Sequence, residues 1–284
     1  MPTAQLPGRA TITLAGEDAE TFLQNILTVD LTTLGDGEIL PGALLSPQGK
    51  ILFDFLISRI DGGFRLDCRA DVAADFQRRL MMYRLRAKVQ ISPPGESLVA
   101  VAWGDDSASL AGGLRDRRFP DEHPVERSYG AGVATDAGAG AWQAFRITQG
   151  IPESGDDFTL GDAFPHDALL DQLGGVGLRK GCYVGQEVVS RMHHRGTARR
   201  RFMIATAKAA LPAPGTDISV DGRTVGTLGS VSGDTGLAMV RIDRVRDALD
   251  AGKPIEAGGV ALQLAIPSWA TFRLPDADAA GADG

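Results

Sequence analysis

The sequence predicts an α+β chain whose C-terminal part is a small antiparallel β-barrel. Two observations carry this. The first half mixes strand-like alternation with apolar residues at helical spacing. After a basic run, RMHHRGTARRR, the texture changes to short strands separated by Gly or Asp turns, which is the pattern of a compact barrel. The 284 residues suffice for more than one domain, and no fixed-period repeat is present.

The elements follow in order. ATITLAG alternates, with Ile12 and Leu14 on one face, and Gly16 ends it. In EDAETFLQNIL, Phe22, Leu23 and Ile26 recur at helical spacing. GDGE and LSPQGK are turn signals. ILFDFLISRI and FRLDCR, split by Asp61-Gly62-Gly63, form a predicted hairpin. Asp71 is the expected cap of the next helix. Its apolar stripe is Val72, Phe76, Leu80 and Tyr83, with Arg78, Arg79 and Arg86 mostly on other faces. KVQIS and LVAVAW read as strands around the turn SPPGES. Gly104 to Ala141 reads as a link with some short elements, ending in a flexible AGVATDAGAG. AWQAFRITQG is a second helix, carrying Trp142, Phe145 and Ile147. RFMIATA, DISVDGRTVGTLGSVS, GLAMVRI and ALQLAI are the barrel strands.

Composition narrows the setting. No apolar run approaches the ~20 residues that span a bilayer, and MPTAQLPGRATITL does not read as a secretory signal. Cys68 and Cys182 are the only cysteines, so a disulfide framework is not expected and a reducing cytoplasm fits. Cys68, in the alternating FRLDCR, reads as a small buried hydrophobe. The net charge of −7 gives no general attraction for nucleic acid. The acidic DADAAGADG reads as a disordered tail.

The stretch KGCYVGQE, Lys180 to Glu187, carries the chemistry. A thiolate is the reactive form of cysteine, and a nearby cation favours it; Lys180 and the basic run are candidates. The flanking glycines suggest positive φ or close approach to a ligand. Gln186 and Glu187 have the donors and acceptors to bind a polar heterocycle. The alternative is a plain turn leading into a strand, with Cys182 packed inside, and spacing alone favours it. No Cys-x-x-Cys or His-x-x-x-His pattern is present, so no metal site is expected. His193 and His194 point apart in any regular element. His123 and His166 read as surface or turn residues. No Walker-type loop or GxGxxG follows a strand. The run Arg191 to Arg201 holds five arginines, two histidines and no acid. It is either a solvated strand edge or a site for an anion such as RNA phosphates or a polycarboxylate tail.

GGVGLRKGCYVGQEVVSRMHHRGTARRR resembles the signature of the YgfZ-type folate-binding proteins of iron–sulfur cluster assembly and repair. The resemblance extends over most of the chain: GEDAETFLQNILTVDL, GALLSPQGKILFDFLI, LMMYRLRAKVQI, ITQGIP and FPHDALLDQLGGV look like further segments of that family. The family is in turn similar to the T-protein of the glycine cleavage system, a tetrahydrofolate-dependent aminomethyltransferase. The resemblance implies a three-substructure cloverleaf around a folate channel. Residues 1–197 would be the folate-binding region, two interleaved α+β substructures with one at roughly 41–105. Residues 198–272 would be the barrel and 273–284 the tail.

The resemblance implies catalytic roles for Cys182, Lys180 and Asp54. It implies ligand contacts from Gly181, Tyr183, Gly185, Gln186, Glu187, Thr148, Arg195 and Arg199. Three departures from the T-protein argue against glycine cleavage itself. Its paired aspartates match Phe53 and Asp54, its pterin-binding glutamate matches near Thr148, and an arginine matches Gln186. Leu169 stands where many YgfZ relatives have Asn. The implied function is a cytoplasmic, folate-binding accessory protein for iron–sulfur enzymes, including radical enzymes that modify tRNA. Its partners would be tetrahydrofolate or a derivative and iron–sulfur clients or assembly proteins. Two alternatives stay open: a tetrahydrofolate-dependent one-carbon transferase, and a non-catalytic RNA- or protein-binding module.

Overall fold

The computed structural model describes residues 1–95, 98–104, 110–130 and 132–275. The end of SPPGES, parts of the 104–141 link and nearly all of the acidic tail lie outside the described residues. Contacts divide the chain into two units. Unit 1 comprises Met1–Trp142 and Leu173–Val188, and unit 2 comprises Gln143–Gln172 and Val189–Gly284.

Unit 1 is built on one sheet. Its strands are β1 (Thr3–Leu6), β2 (Arg9–Ala15), β3 (Glu38–Leu45), β4 (Ile51–Ile60), β5 (Gly63–Arg69), β6 (Gln90–Ile91), β7 (Val99–Trp103), β8 (Leu114–Asp116) and β9 (Val125–Tyr129). Their order is β1-β7-β9-β8-β3-β4-β5-β2-β6. The β4–β5 hairpin is antiparallel as expected, and Gly62 turns it with φ 71°. Helices α1 (Ala19–Ile26) and α2 (Ala70–Arg84) lie on either side of it in sequence. Phe22, Leu23 and Ile26 of α1 join Ile12, Leu14, Leu66 and Phe76 in one core. On α2, Phe76 and Leu80 are buried as the stripe predicts, while Tyr83 is half-buried. Phe53 and Phe55 of β4 stack on Phe76 at 4.9 and 5.5 Å. Phe53, which matches one carboxylate of the T-protein pair, is therefore a packing residue here.

Two expectations need correction. Asp71 does not cap α2. Strand β5 runs straight into the helix, Arg69 holds the cap position without a side-chain cap, and Asp71 sits in the first turn paired with Arg69. The 104–141 segment is also more than a link, because β8 and β9 lie inside the sheet. Their sequence hid this by burying charge. Arg127 of β9 is 1% exposed and donates to Asp67 at 3.2 Å and to Asp116 at 3.1 Å. Arg9 and Tyr129 also donate to Asp67, and Arg118 to Asp116. Burial pushes the Asp116 carboxyl up, but Arg118 and Arg127 outweigh it and hold it at about 2.

Unit 2 contains a closed barrel of β10 (Arg200–Thr206), β11 (Asp217–Val220), β12 (Arg223–Ser232), β13 (Thr235–Arg241), β14 (Ile255–Ala257) and β15 (Val260–Ala265). The strand order is β10-β13-β12-β11-β14-β15. Met203, Ile218, Leu228, Ala238 and Val240 are among its buried residues. The predicted strands are all found. A helix that the sequence reading missed, α5 (Ile242–Asp250), follows β13 and buries Ile242, Val245 and Ala248. Helix α3 (Ala139–Thr148) matches its prediction and runs across the first boundary between the units. Its Arg146, fully buried, donates to Asp157 at 2.6 Å and to Ser230 of β12 at 2.8 Å, tying residues 143–172 to the barrel. Among the described residues no helix is long and apolar enough to cross a membrane.

The buried network gives a stability test. Removing one partner of a buried ion pair leaves an uncompensated charge, at a cost of about 3–5 kcal/mol. Arg127→Met is expected to lose that much unfolding free energy in urea denaturation. Arg117→Met, which removes an exposed pair with Glu38, should lose only about 0–1 kcal/mol. The sign with pH follows from Asp116. Its folded pKa is depressed, so its contribution is present above the ordinary 3.8 and is lost as pH falls toward about 2. The gap between wild type and Arg127→Met should narrow over that interval.

Candidate functional site

The KGCYVGQE stretch lies wholly in unit 1. It is an irregular loop that leads into helix α4 (Gln186–Arg195). With no helix or strand to fix it, the loop takes its shape from contacts to the chain just after α1. Thr28, fully buried, donates from its hydroxyl to the Gly175 carbonyl at 2.7 Å and accepts from the Ala43 amide at 2.9 Å. The Gly177 amide donates to the Thr28 carbonyl at 2.8 Å. Lys180 then turns inward. Its ammonium donates to the carbonyls of Leu27 at 2.8 Å and Val29 at 2.6 Å and lies 5.4 Å from the Tyr183 ring centre. The expected role of Lys180 beside the thiol thus meets a side chain committed to backbone carbonyls.

Charge is balanced nearby by Asp30. Burial raises that carboxyl, but hydrogen bonds from Gln24 and Thr32, with the charge of Lys180, hold it below its ordinary value. Burial lowers Lys180 to about 8, against the pull of Asp30. Burial raises the Tyr183 phenol to about 12. Gly185 has φ 78°, and a Cβ there would lie 2.5 Å from the Ser46 carbonyl oxygen, so only glycine lets the loop approach the β3–β4 turn. The Gln186 amide donates to the Tyr183 carbonyl at 3.2 Å as α4 begins, and Glu187 in its first turn is exposed.

Upon this fixed base the Cys182 thiol is exposed, whereas Cys68 is fully buried in the core. The alternative of a turn leading into a strand with Cys182 packed inside is therefore set aside, because the loop leads into helix α4 and the thiol is exposed, and the expectation for Cys68 is met. Burial raises the Cys68 thiol to about 12. Asp54 of β4 is half-buried in the same unit, opposite Ala43 of β3. Thr148, Arg195 and Arg199 belong to unit 2. Thr148 ends α3, exposed, with its hydroxyl donating to the Phe145 carbonyl at 2.7 Å.

His123 is exposed as expected. His166 lies in a turn, one of the two expected settings, but it is 1% exposed. Burial lowers its pKa, Arg201 and His193 add to that, and Asp171 opposes it. The sequence reading also missed Gln24, Thr28 and Asp30, the residues that receive or balance the loop. Their only trace is the polar spacing in QNILTVDL directly after a helix.

Sheet and barrel together define the class. The fold is that of the glycine cleavage T-protein. It matches the aminomethyltransferase T structure from Bartonella henselae with a TM-score of 0.72, over 94% of this chain and 86% of that one, at 17% identity. Residues 199–272 match the family model "CAF17, C-terminal beta-barrel domain". The chain is 30% identical over 305 residues to the human iron-sulfur cluster assembly factor IBA57, mitochondrial, covering 93% of this chain and 84% of that protein. It is 31% identical over 268 residues to the tRNA-modifying protein YgfZ of Klebsiella pneumoniae, covering 82% of each. The chain belongs to the IBA57/YgfZ family.

Two measurements test the site. The folded pKa of Lys180 lies below its ordinary 10.5, so between about 8 and 10.5 the unfolded chain binds more protons and stability rises with pH. The stability of wild type minus that of Lys180→Met should climb across this window, and a flat difference would contradict the buried ammonium. Second, iodoacetamide should label Cys182 well before Cys68, as read by mass spectrometry of partly modified protein.

Proposed function

We propose that this chain serves the assembly or repair of iron–sulfur clusters, with Cys182 as its reactive residue and a reduced folate as its ligand. The observation that carries the reading is the exposed Cys182 thiol held on a rigid, buried base by Lys180 and Gly185. The name of the human relative supports the cluster part, and that of the Klebsiella relative a link to tRNA modification. Iron–sulfur clusters are held by cysteine thiolates, four in the common types. One exposed thiol supplies one of them, so the rest belong to a carrier or client protein and the cluster is cargo. Clients include radical enzymes that modify tRNA, and the two free cysteines fit a reducing cytoplasm.

Tetrahydrofolate or a derivative is the ligand the reading assigns to the T-protein-like fold. Asp54, half-buried on β4, has a carboxylate to hold it. Thr148 does not fit the pterin, since it has no charge and its hydroxyl is used within α3. This favours an accessory role over the alternative of one-carbon transfer, and no transfer step is assigned. Gln186 and Glu187 position the loop at the start of α4.

Complementation of a bacterial strain lacking its own family member tests the cluster role, scored by iron–sulfur enzyme activity. Cys182→Ser should abolish rescue while its unfolding free energy stays within about 0.5 kcal/mol of wild type, as for other exposed positions. Full rescue by the serine variant would remove Cys182 from the chemistry. Calorimetric titration of tetrahydrofolate tests the ligand separately. Absence of binding would strike the folate part and leave the cluster part standing.

A further inference from the structure

Unit 2 contains a cavity of about 640 Å³, within the size range of small-molecule sites. Among the described residues its wall includes seven arginines and three aspartates and no lysine or glutamate, a formal balance of +4 in a chain of net charge −7. Part of this charge is spent internally. Arg201 is bound bidentately by Asp171 at 2.6 and 3.0 Å, and Arg241 by Asp243 at 2.9 and 2.5 Å. Arg195, Arg244 and Arg273 are exposed, and their side chains make no hydrogen bond or ion pair among the described residues. They come from the end of α4, the first turn of α5 and the segment after β15. A solvated strand edge would place its charges along one element, whereas here three elements converge on one hollow.

A second observation points to a ligand. His166 lines the cavity at 1% exposure, and among the described residues neither ring nitrogen has a hydrogen-bond partner. The Nε of Arg201, 7% exposed, is also without one. Buried polar groups are normally satisfied, and a guanidinium nitrogen can only donate. His166, Asp171 and His193 offer metal-ligating atoms within 4.8 Å of one another. A cation is nonetheless disfavoured, because the Asp171 carboxylate is already held by Arg201 and the surrounding guanidinium groups repel positive charge.

We propose that this cavity binds a small ligand carrying two or more phosphate groups, held by Arg195, Arg244 and Arg273 with His166 and Arg201 at the buried wall. Arg246 is also answered, by Asp250 at 2.8 Å outside the wall. A phosphate group carries about −1.5 to −2 charges at neutral pH and three acceptor oxygens, so about two groups match the three unpaired arginines. Arginine meets such groups through paired N–H donors. The inference is independent of the cluster and folate reading, and its test uses neither.

Inorganic tripolyphosphate is the probe, titrated into the full-length protein by calorimetry. It should bind, with an affinity that falls steeply as salt rises. Arg244→Gln and Arg273→Gln, exposed and tolerated by the fold, should each weaken it about tenfold, the loss of one charge-assisted hydrogen bond. His166→Ala should weaken it as well. No binding at millimolar probe would overturn the proposal, as would undiminished binding by both arginine variants. Tighter binding of tri-glutamate would reassign the cavity to polycarboxylates. A short single-stranded RNA bound far more tightly and lost in the same variants would reassign it to nucleic acid. Stoichiometric zinc binding abolished by His166→Ala would make it a metal site. Each of these three results overturns the assignment to a small phosphate ligand.

Discussion

The functional loop of this chain rests on a buried ammonium. Lys180 belongs to a stretch with no regular structure, yet its side chain reaches back roughly 150 residues in sequence to the carbonyls of Leu27 and Val29. Both carbonyls lie in the short stretch after α1, outside the helix, where the ammonium gives them a buried donor. The packing is close enough to dictate a neighbour. A Cβ on Gly177 would lie 2.7 Å from the Lys180 stem and 2.9 Å from Asp30. Burying the charge costs solvation, which appears as the lowered pKa of Lys180. Asp30 offsets part of that cost and is itself kept charged by Gln24 and Thr32. The result is a loop whose inner side is fixed by polar contacts and whose outer side presents Cys182.

The two units use charge in opposite ways. In unit 1, Asp67, Asp116 and Arg127 are buried and answered by one another and by Arg9, Arg118 and Tyr129. In unit 2, Arg146 is treated likewise by Asp157, Gln143 and Ser230. Such networks hold only when every member is satisfied, because the low dielectric that strengthens each pair makes an unpaired partner expensive. Around the unit 2 cavity the accounting does not close among the described residues. Positive charge exceeds negative there, and buried donors on His166 and Arg201 stay unused. The contrast within one molecule separates charge that builds the fold from charge that awaits something else.

Much of the fold was legible because burial and periodicity agree. Ile12 and Leu14 alternate inward on β2, Phe22, Leu23 and Ile26 face the core from α1, and the barrel strands fall where Gly and Asp turns cut them. The failures share a physical origin. Strand β9 was hidden because Arg127 occupies a position that a pattern reading assigns to solvent, and only its distant partners make it a core residue. Helix α5 was hidden in RIDRVRDALD, where charges dominate and the stripe of Ile242, Val245 and Ala248 is narrow. For the site, sequence identified the loop itself but not the direction of Lys180 or the depth of His166. Both depend on residues far away in the chain, which local spacing does not encode.

The two cysteines show what the loop architecture achieves. The same thiol group stands on Cys68 and Cys182, and environment alone separates them. Cys68 lies on β5 within the main core of unit 1, where desolvation suppresses the thiolate. Cys182 is kept out of such surroundings although its neighbour Tyr183 is buried and Lys180 is turned inward. Across the four irregular positions 180–183, Lys180 and Tyr183 are buried and the two residues between them, Gly181 and Cys182, are exposed. Gly181 adds no bulk to this reversal, and Gly185 then brings the chain against Ser46 so that α4 can start. Exposure of the thiol is therefore a consequence of the inward anchors on both sides of it. A free, unanchored loop carrying the same cysteine would lose conformational entropy on engaging any partner, whereas this one has already been ordered by folding.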